Sequence, residues 1–127
     1  MPSYESTGFD PPAPVARVMI RAAASGSSVA DVPLLVDSGA DVTLLPRFVV
    51  DRIGIAALTD QQYELIGFDG TRSFAPAAVL DMVLFGRVFR GRYLLIDGDH
   101  GVLGRDVLNH LVLLLDGPAR QWSEQTK

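Results

Sequence analysis

The chain has no cysteine among its 127 residues, which excludes a disulfide framework, a thiolate nucleophile and any metal site built on sulfur. It is also short of positive charge: 11 Lys and Arg against 15 Asp and Glu leave a net charge of -4. A cationic track along a phosphate backbone is therefore unavailable, and no nucleic-acid partner is expected. The densest basic patch, Arg87, Arg90 and Arg92, reads as the solvent face of a hairpin. Only two histidines occur. These two, His100 and His110, lie in separate local contexts, so neither a metal nor another cofactor is expected. No apolar run reaches the roughly 18 residues that a membrane span requires, and the N-terminus has neither the charged head nor the apolar body of a signal peptide. The expectation is a soluble, cytoplasmic protein with no membrane partner.

What is present is apolar material in short pieces. Hydrophobic residues make up 48% of the chain, enough for one domain with a modest core. Residues 1–14 carry Pro2, Pro11, Pro12 and Pro14 and read as a flexible arm. From Val15 onward, strand-like runs alternate with turn signals: Ser25-Gly26-Ser27-Ser28, Gly67-Phe68-Asp69-Gly70, Gly86, Asp97-Gly98-Asp99 and Asp116-Gly117-Pro118. Pro33 inside the run Val29 to Val36 suggests a strand edge or a nearby bulge. Asp41 to Leu45 reads as a short strand stopped by Pro46, and Arg47 to Ile53 as one or two helical turns ended by Gly54. Tyr63 to Phe74 reads as a hairpin, followed by strands at Ala77 to Phe85 and Val88 to Ile96. The pattern predicts an all-β class, a small closed barrel over residues 15–116 with one short C-terminal helix, then a tail at 117–127.

One stretch carries chemistry. Leu34-Leu35-Val36-Asp37-Ser38-Gly39-Ala40-Asp41 delivers a carboxylate from an apolar strand into a turn of small residues, where a substrate backbone has room to approach. Asp-Ser-Gly by itself is a common turn in which the Asp caps its own backbone. A lone carboxylate is half of an acid/base pair. Two carboxylates a few ångströms apart cannot both ionise, so one serves as base toward a water and the other as acid. No second Asp-Ser-Gly occurs in the chain, and a two-fold axis between two copies of Asp37 would supply the pair. Ser38 as a serine nucleophile is a poor alternative, since neither a Gly-x-Ser-x-Gly elbow nor a neighbouring base is visible.

These residues, together with Val102-Leu103-Gly104-Arg105-Asp106-Val107-Leu108 further on, give the chain a sequence that resembles the retroviral-type (retropepsin-like) aspartic proteases over most of residues 15 to 116. The resemblance implies an acid-protease fold, a homodimer, a peptide or protein substrate, and hydrolysis of peptide bonds in extended, largely hydrophobic segments. It implies Asp37 as the catalytic carboxylate, with Ser38 bracing the paired loops, Gly39 offering its carbonyl to substrate, and Asp41 pairing with Arg105. Ala40 belongs to the same loop, and Gly104, Arg105 and Asp106 to its support. Ile66, Gly67, Phe68, Asp69 and Gly70 fall where that family carries its substrate-covering flap. Leu35, Val42, Phe68, Phe74, Val102 and Leu103 are candidates for side-chain pockets. In viral members the termini of two copies interleave in one sheet, and Leu111 to Leu115 is the suitable strand here. The competing reading is a dimeric peptide-binding or assembly module of the same shape with little or no proteolytic activity.

Overall fold

The computed structural model describes residues 2–55, 58–67 and 69–126, and all side chains of these except those of 58–62. Alternation of apolar residues builds the first two strands. In β1 (Val15–Arg21) Ala16, Val18 and Ile20 are buried while Arg17 and Arg21 point outward, and β2 (Ser28–Val36) buries Val29, Val32 and Leu34. Val29 and Val32 stand three apart, which a regular strand would place on opposite faces. They share a face because Asp31 adopts φ 57° and the register against β1 slips between Val18 and Ile20. This is a bulge. Pro33 lies beside it, beyond the short stretch Leu34 to Val36 where β2 acquires its second neighbour, so its missing N–H costs no ladder bond.

The remaining elements are β3 (Leu44–Pro46), α1 (Phe48–Ile53), β4 (Leu58–Ile66), β5 (Arg72–Leu84), β6 (Arg87–Ile96), β7 (Gly101–Leu103), α2 (Arg105–Leu108), β8 (Leu113–Asp116) and β9 (Gln121–Glu124). Strand order β1-β2-β7-β3-β6-β5 closes on itself through a β1–β5 pairing, and β4 hangs from β5. The closed six-stranded barrel encloses Ile20, Leu34, Leu45, Leu80, Met82, Leu95 and Leu103, all fully buried. Closure removes sheet edges and concentrates the apolar side chains of a small chain in one interior. α1 ends where Gly54, at φ 82°, donates its N–H to Val50 O, the left-handed stop that glycine permits.

Several boundaries differ from the sequence expectation. The strand expected at Asp41 to Leu45 begins only at Leu44 and runs through Pro46, because Asp41 and Val42 bend with the preceding loop. The hairpin arm after Gly70 and the strand from Ala77 are one continuous strand, β5, of 13 residues. Two short helices form, α1 where helical turns were expected before Gly54 and α2 near the C-terminus. Arg90 and Arg92 share the outer face of β6, whereas Arg87 is of opposite parity and shares the face of Phe89, and each is engaged: Arg87 with Glu124, Arg90 with Asp81, and Arg92 with the Tyr63 hydroxyl.

The terminal segments are built differently from the expected arm and tail. Residues 117–126 turn at Asp116 to Arg120 into β9, whose Trp122 is the largest fully buried side chain among the described residues. Burying so much aromatic surface explains why the segment docks. The N-terminal arm runs alongside it: Trp122 N–H donates to Pro2 O and Tyr4 N–H to Arg120 O. Glu5 bridges to Ala13 through the backbone and holds Arg17 with both oxygens, at 2.7 and 3.0 Å. Proline content keeps these residues out of the barrel without leaving them unanchored.

Candidate active site

Asp37 is the first residue beyond β2, at the point where β2, β7 and β3 adjoin. Its N–H donates to Leu103 O at 3.1 Å, and its carbonyl accepts from Ala40 N–H at 3.2 Å. Its side chain turns back on the loop, Oδ1 accepting from Gly39 N–H at 2.9 Å. The Asp-capped turn is thus present. It orients one carboxylate oxygen and leaves Oδ2 without a protein donor among the described residues.

The loop is braced from α2. Arg105 N–H donates to Ala40 O at 2.9 Å, and the Arg105 guanidinium donates through Nη1 to Ser38 O at 2.7 Å. The pairing expected between Asp41 and Arg105 is not made. Arg105 spends its charge on the loop carbonyl, and Asp41 is exposed with no ion-pair partner among the described residues. A planar guanidinium reaching a backbone carbonyl still ties loop to helix, by a hydrogen bond instead of a salt bridge.

The deeper brace is a residue that the sequence reading passed over. Thr43 is 1% exposed. Its Oγ1 donates to Asp106 Oδ1 at 2.6 Å and accepts from Gly104 N–H at 3.0 Å, while its N–H donates to Asp106 Oδ2 at 3.1 Å. Asp106 also caps its own helix through Val107 N–H. A lone hydroxyl in the apolar run Val42 to Leu45 was the available signal, since a buried Thr needs a partner. Gly104 is required by space: a Cβ there would stand 2.4 Å from Val42 O. Thr43 thus joins Asp106 and Gly104 to the segment that follows the Asp37 loop.

Opposite the loop lies the β4–β5 hairpin. Ile66 pairs with Arg72, Gly67 N–H donates to Thr71 O at 2.9 Å, and Gly70 N–H to Gly67 O at 3.0 Å. Asp69 Oδ1 accepts from Thr71 N–H at 2.9 Å; bonding from Thr71, through the hydroxyl and then the backbone, holds the Asp69 carboxyl below its ordinary range. Phe68 lies outside the described residues. Between loop and hairpin is an open cleft of about 670 Å³, whose floor is Asp37, Gly39, Ala40 and Asp41 and whose roof includes Ile66, Gly67 and Thr71. Its apolar walls are Val42, Leu44, Leu65 and Leu94. Among the described pocket candidates, Val42 lines it. Leu103 is buried in the barrel, Leu35 and Val102 pair with each other, and Phe74 is 66% exposed on the hairpin.

The backbone fold is similar to that of a known structure: the EIAV protease complexed with the inhibitor HBY-793 superposes with a TM-score of 0.57, covering 77% of this chain and 86% of that one. The fold is retropepsin-like. Sequence identity over the match is 23%, so the likeness resides in the path of the backbone. No protein-family profile and no curated relative matches the sequence. Within the retropepsin-like fold, Asp37 occupies the end of an interior strand facing a hairpin across a cleft, and no helix among the described residues is long and apolar enough to cross a membrane.

Proposed function

We propose that the protein is an aspartic endopeptidase whose active site forms where two copies meet, each contributing Asp37. The observation that carries this reading is the position of Asp37. One oxygen is fixed by Gly39 N–H and the other is open to a cleft roofed by a β-hairpin. The cleft encloses about 670 Å³, and the hairpin backbone along it is suited to hold an extended peptide as an added strand. The hairpin then acts as a flap, with Gly67 and Gly70 allowing its tip to change shape.

The chemistry follows from sharing one proton between two carboxylates. The ionised Asp37 removes a proton from a water as its oxygen attacks the scissile carbonyl carbon, and the protonated Asp37 of the second copy gives its proton to the carbonyl oxygen. The resulting tetrahedral diol collapses when a proton passes to the amide nitrogen, breaking the C–N bond. The walls formed by Val42, Leu44, Leu65 and Leu94 favour hydrophobic side chains flanking that bond. Ser38 and Ala40 hold the loop, and Arg105 positions it through Ser38 O.

The test is cleavage of a pool of unfolded peptides at mildly acid pH by the intact chain and by Asp37→Asn. The expected result is cleavage by the first and none by the second, with a bell-shaped rate profile centred below neutrality. Cleavage that survives the substitution overturns the site. Peptide retention with no cleavage by either protein supports the binding module instead. A site made inside one chain from Asp37 and Asp41 would keep its specific activity on dilution, whereas a shared site loses it.

A further inference from the structure

Trp122 carries a polar atom that the fold leaves unmatched. It is the protein's one tryptophan and 1% exposed, and its indole Nε1–H has no hydrogen-bond partner among the described residues. A buried indole donor ordinarily finds an acceptor. An indole N–H only donates, so what completes it is an acceptor atom such as a carbonyl oxygen.

The same side chain lines a cavity of about 450 Å³ that shares no residue with the peptide cleft. The cavity lies between the N-terminal arm, β1, the β5–β6 turn and β9. Val15, Leu84, Phe85 and Trp122 give it apolar walls, and its size falls within the roughly 300 to 1,000 Å³ of small-molecule sites. Charge at its edge cancels: Arg17 and Glu5 both line it and hold each other through two hydrogen bonds. An ion entering would lose hydration and meet no net countercharge, so the space suits an uncharged molecule.

One wall is built against local preference. Phe85 and Gly86 join β5 to β6 with φ 53° and 71°, a two-residue turn that needs positive φ at both positions and favours Asn-Gly. A bulky residue is uncommon there. Phe85 instead sets its ring in edge contact with that of Trp122, centroids 5.6 Å apart at 65°, half-buried against the core. Strained residues concentrate where a binding surface has to be shaped, and this one places an aromatic ring in the cavity wall.

We infer that this cavity is a binding site, separate from the peptide cleft, for an uncharged, mostly apolar aromatic molecule that carries a carbonyl oxygen. Phe85 and Trp122 supply the faces and edges against which an aromatic ring packs, and the carbonyl supplies the acceptor that Nε1–H lacks. Water does not reach Nε1, so the carbonyl gains its donor as the arm residues that line the cavity, Pro2 to Glu5, adjust around the ligand. The site stands apart from the protease reading and does not depend on it.

Because Trp122 is the one tryptophan, its indole N–H gives a single proton–nitrogen correlation in the magnetic resonance spectrum of the isotope-labelled full chain. Titration with benzylacetone, an uncharged aromatic ketone, is expected to move that signal downfield along a saturating curve at millimolar concentration or below, and to raise the thermal midpoint. Hydrocinnamate, which carries a carboxylate in place of the ketone, is expected to bind at least about tenfold more weakly. Asp37→Asn is expected to bind benzylacetone as the intact chain does, since the cleft takes no part. Phe85→Asn suits the turn and removes the ring; it is expected to keep the circular dichroism spectrum and to raise the dissociation constant about fivefold or more. A signal that drifts in proportion to ketone without saturating, a response lost in Asp37→Asn, or unchanged affinity in Phe85→Asn overturns the site. Equal binding of hydrocinnamate overturns the uncharged class of ligand. A chain that cleaves no peptide yet gives the saturating Trp122 response supports this site and removes the protease reading alone.

Discussion

Asp106 grips Thr43 twice, Oδ1 accepting from the Thr43 hydroxyl at 2.6 Å and Oδ2 from its N–H at 3.1 Å. The two residues belong to opposite halves of the chain, and their union fastens α2 to the segment that follows the Asp37 loop. Thr43→Val keeps the volume and the β-branched shape but removes the hydroxyl, which leaves Asp106 Oδ1 short of a donor and Gly104 N–H without an acceptor. The expected cost is about 2 kcal/mol of folding stability, read as a lowered urea midpoint at unchanged slope. Thr43→Ser restores the hydroxyl and is expected to recover most of that loss. Equal destabilisation by Val and Ser would mean that packing, not the hydrogen bonds, is what Thr43 supplies.

Arg105 acts on the loop from a distance. Its Nη1 bond to Ser38 O fixes the peptide unit next to Asp37, so it is a positioning residue without contact to the reacting atoms. Arg105→Ala is expected to lower kcat of peptide cleavage about tenfold or more with a smaller effect on KM, since a misplaced carboxylate hurts the chemical step more than peptide docking. Arg105→Lys offers one of the guanidinium's donors on a shorter reach and is expected to fall between the two. An unchanged kcat in Arg105→Ala would show that the backbone bond from Arg105 N–H to Ala40 O suffices.

Acid lability is expected from Asp81, well away from the cleft. This carboxylate is 2% exposed and receives Arg90 Nε at 2.7 Å, Arg90 Nη2 at 3.2 Å and Arg21 Nη2 at 3.5 Å. The Arg90 hydrogen bonds, and then the Arg90 and Arg21 charges, hold its carboxyl below the ordinary value against the opposing effect of burial. A group whose folded value is depressed adds stability that is complete above the unfolded value, near 3.9 for Asp, and is lost as the pH falls through the folded value. Thermal midpoints are therefore expected to hold down to about pH 4 and to drop below it, in part from this cluster. Asp81→Asn is expected to lower the midpoint at neutral pH and to flatten the acid limb. An acid limb of undiminished steepness in that variant would assign the lability elsewhere.

How much of this was legible beforehand depends on the range of the interaction. Local signals read well: the Asp37 turn, the hairpin tip at Gly67 to Gly70, the helix stop at Gly54 and the barrel class all follow from nearest neighbours and periodicity. Partners chosen across the fold did not. Nothing within a few residues of Arg105 says that its guanidinium reaches Ser38 O and not Asp41. Thr43 and Asp106 are 63 residues apart, and only closure of the barrel brings them together. The terminal segments misled for a different reason. Proline argued for a loose arm in residues 1–14, but order can also come from docking, and residues 2–5 bridge to β9 and to Ala13, beside the buried Trp122 at the far end of the chain.

The shared site predicts a stoichiometry of failure. In a particle built from two chains, an Asp37→Asn chain that still folds and pairs disables the partner it binds, because the remaining carboxylate has no second acid to complement it. After the chains are mixed in equal amounts and left to exchange, only the particles drawn from two intact copies cleave, so the rate is expected to fall to about half that of the intact protein alone at the same amount. A threefold excess of the variant is expected to reduce it to about a quarter. The intact chain must be held well above its dissociation constant before mixing, or the variant would rescue assembly while blocking chemistry. A rate that stays constant through the whole titration would place the complete acid/base pair inside one chain, and Asp41, exposed on the floor of the same cleft, would then be the carboxylate to replace next.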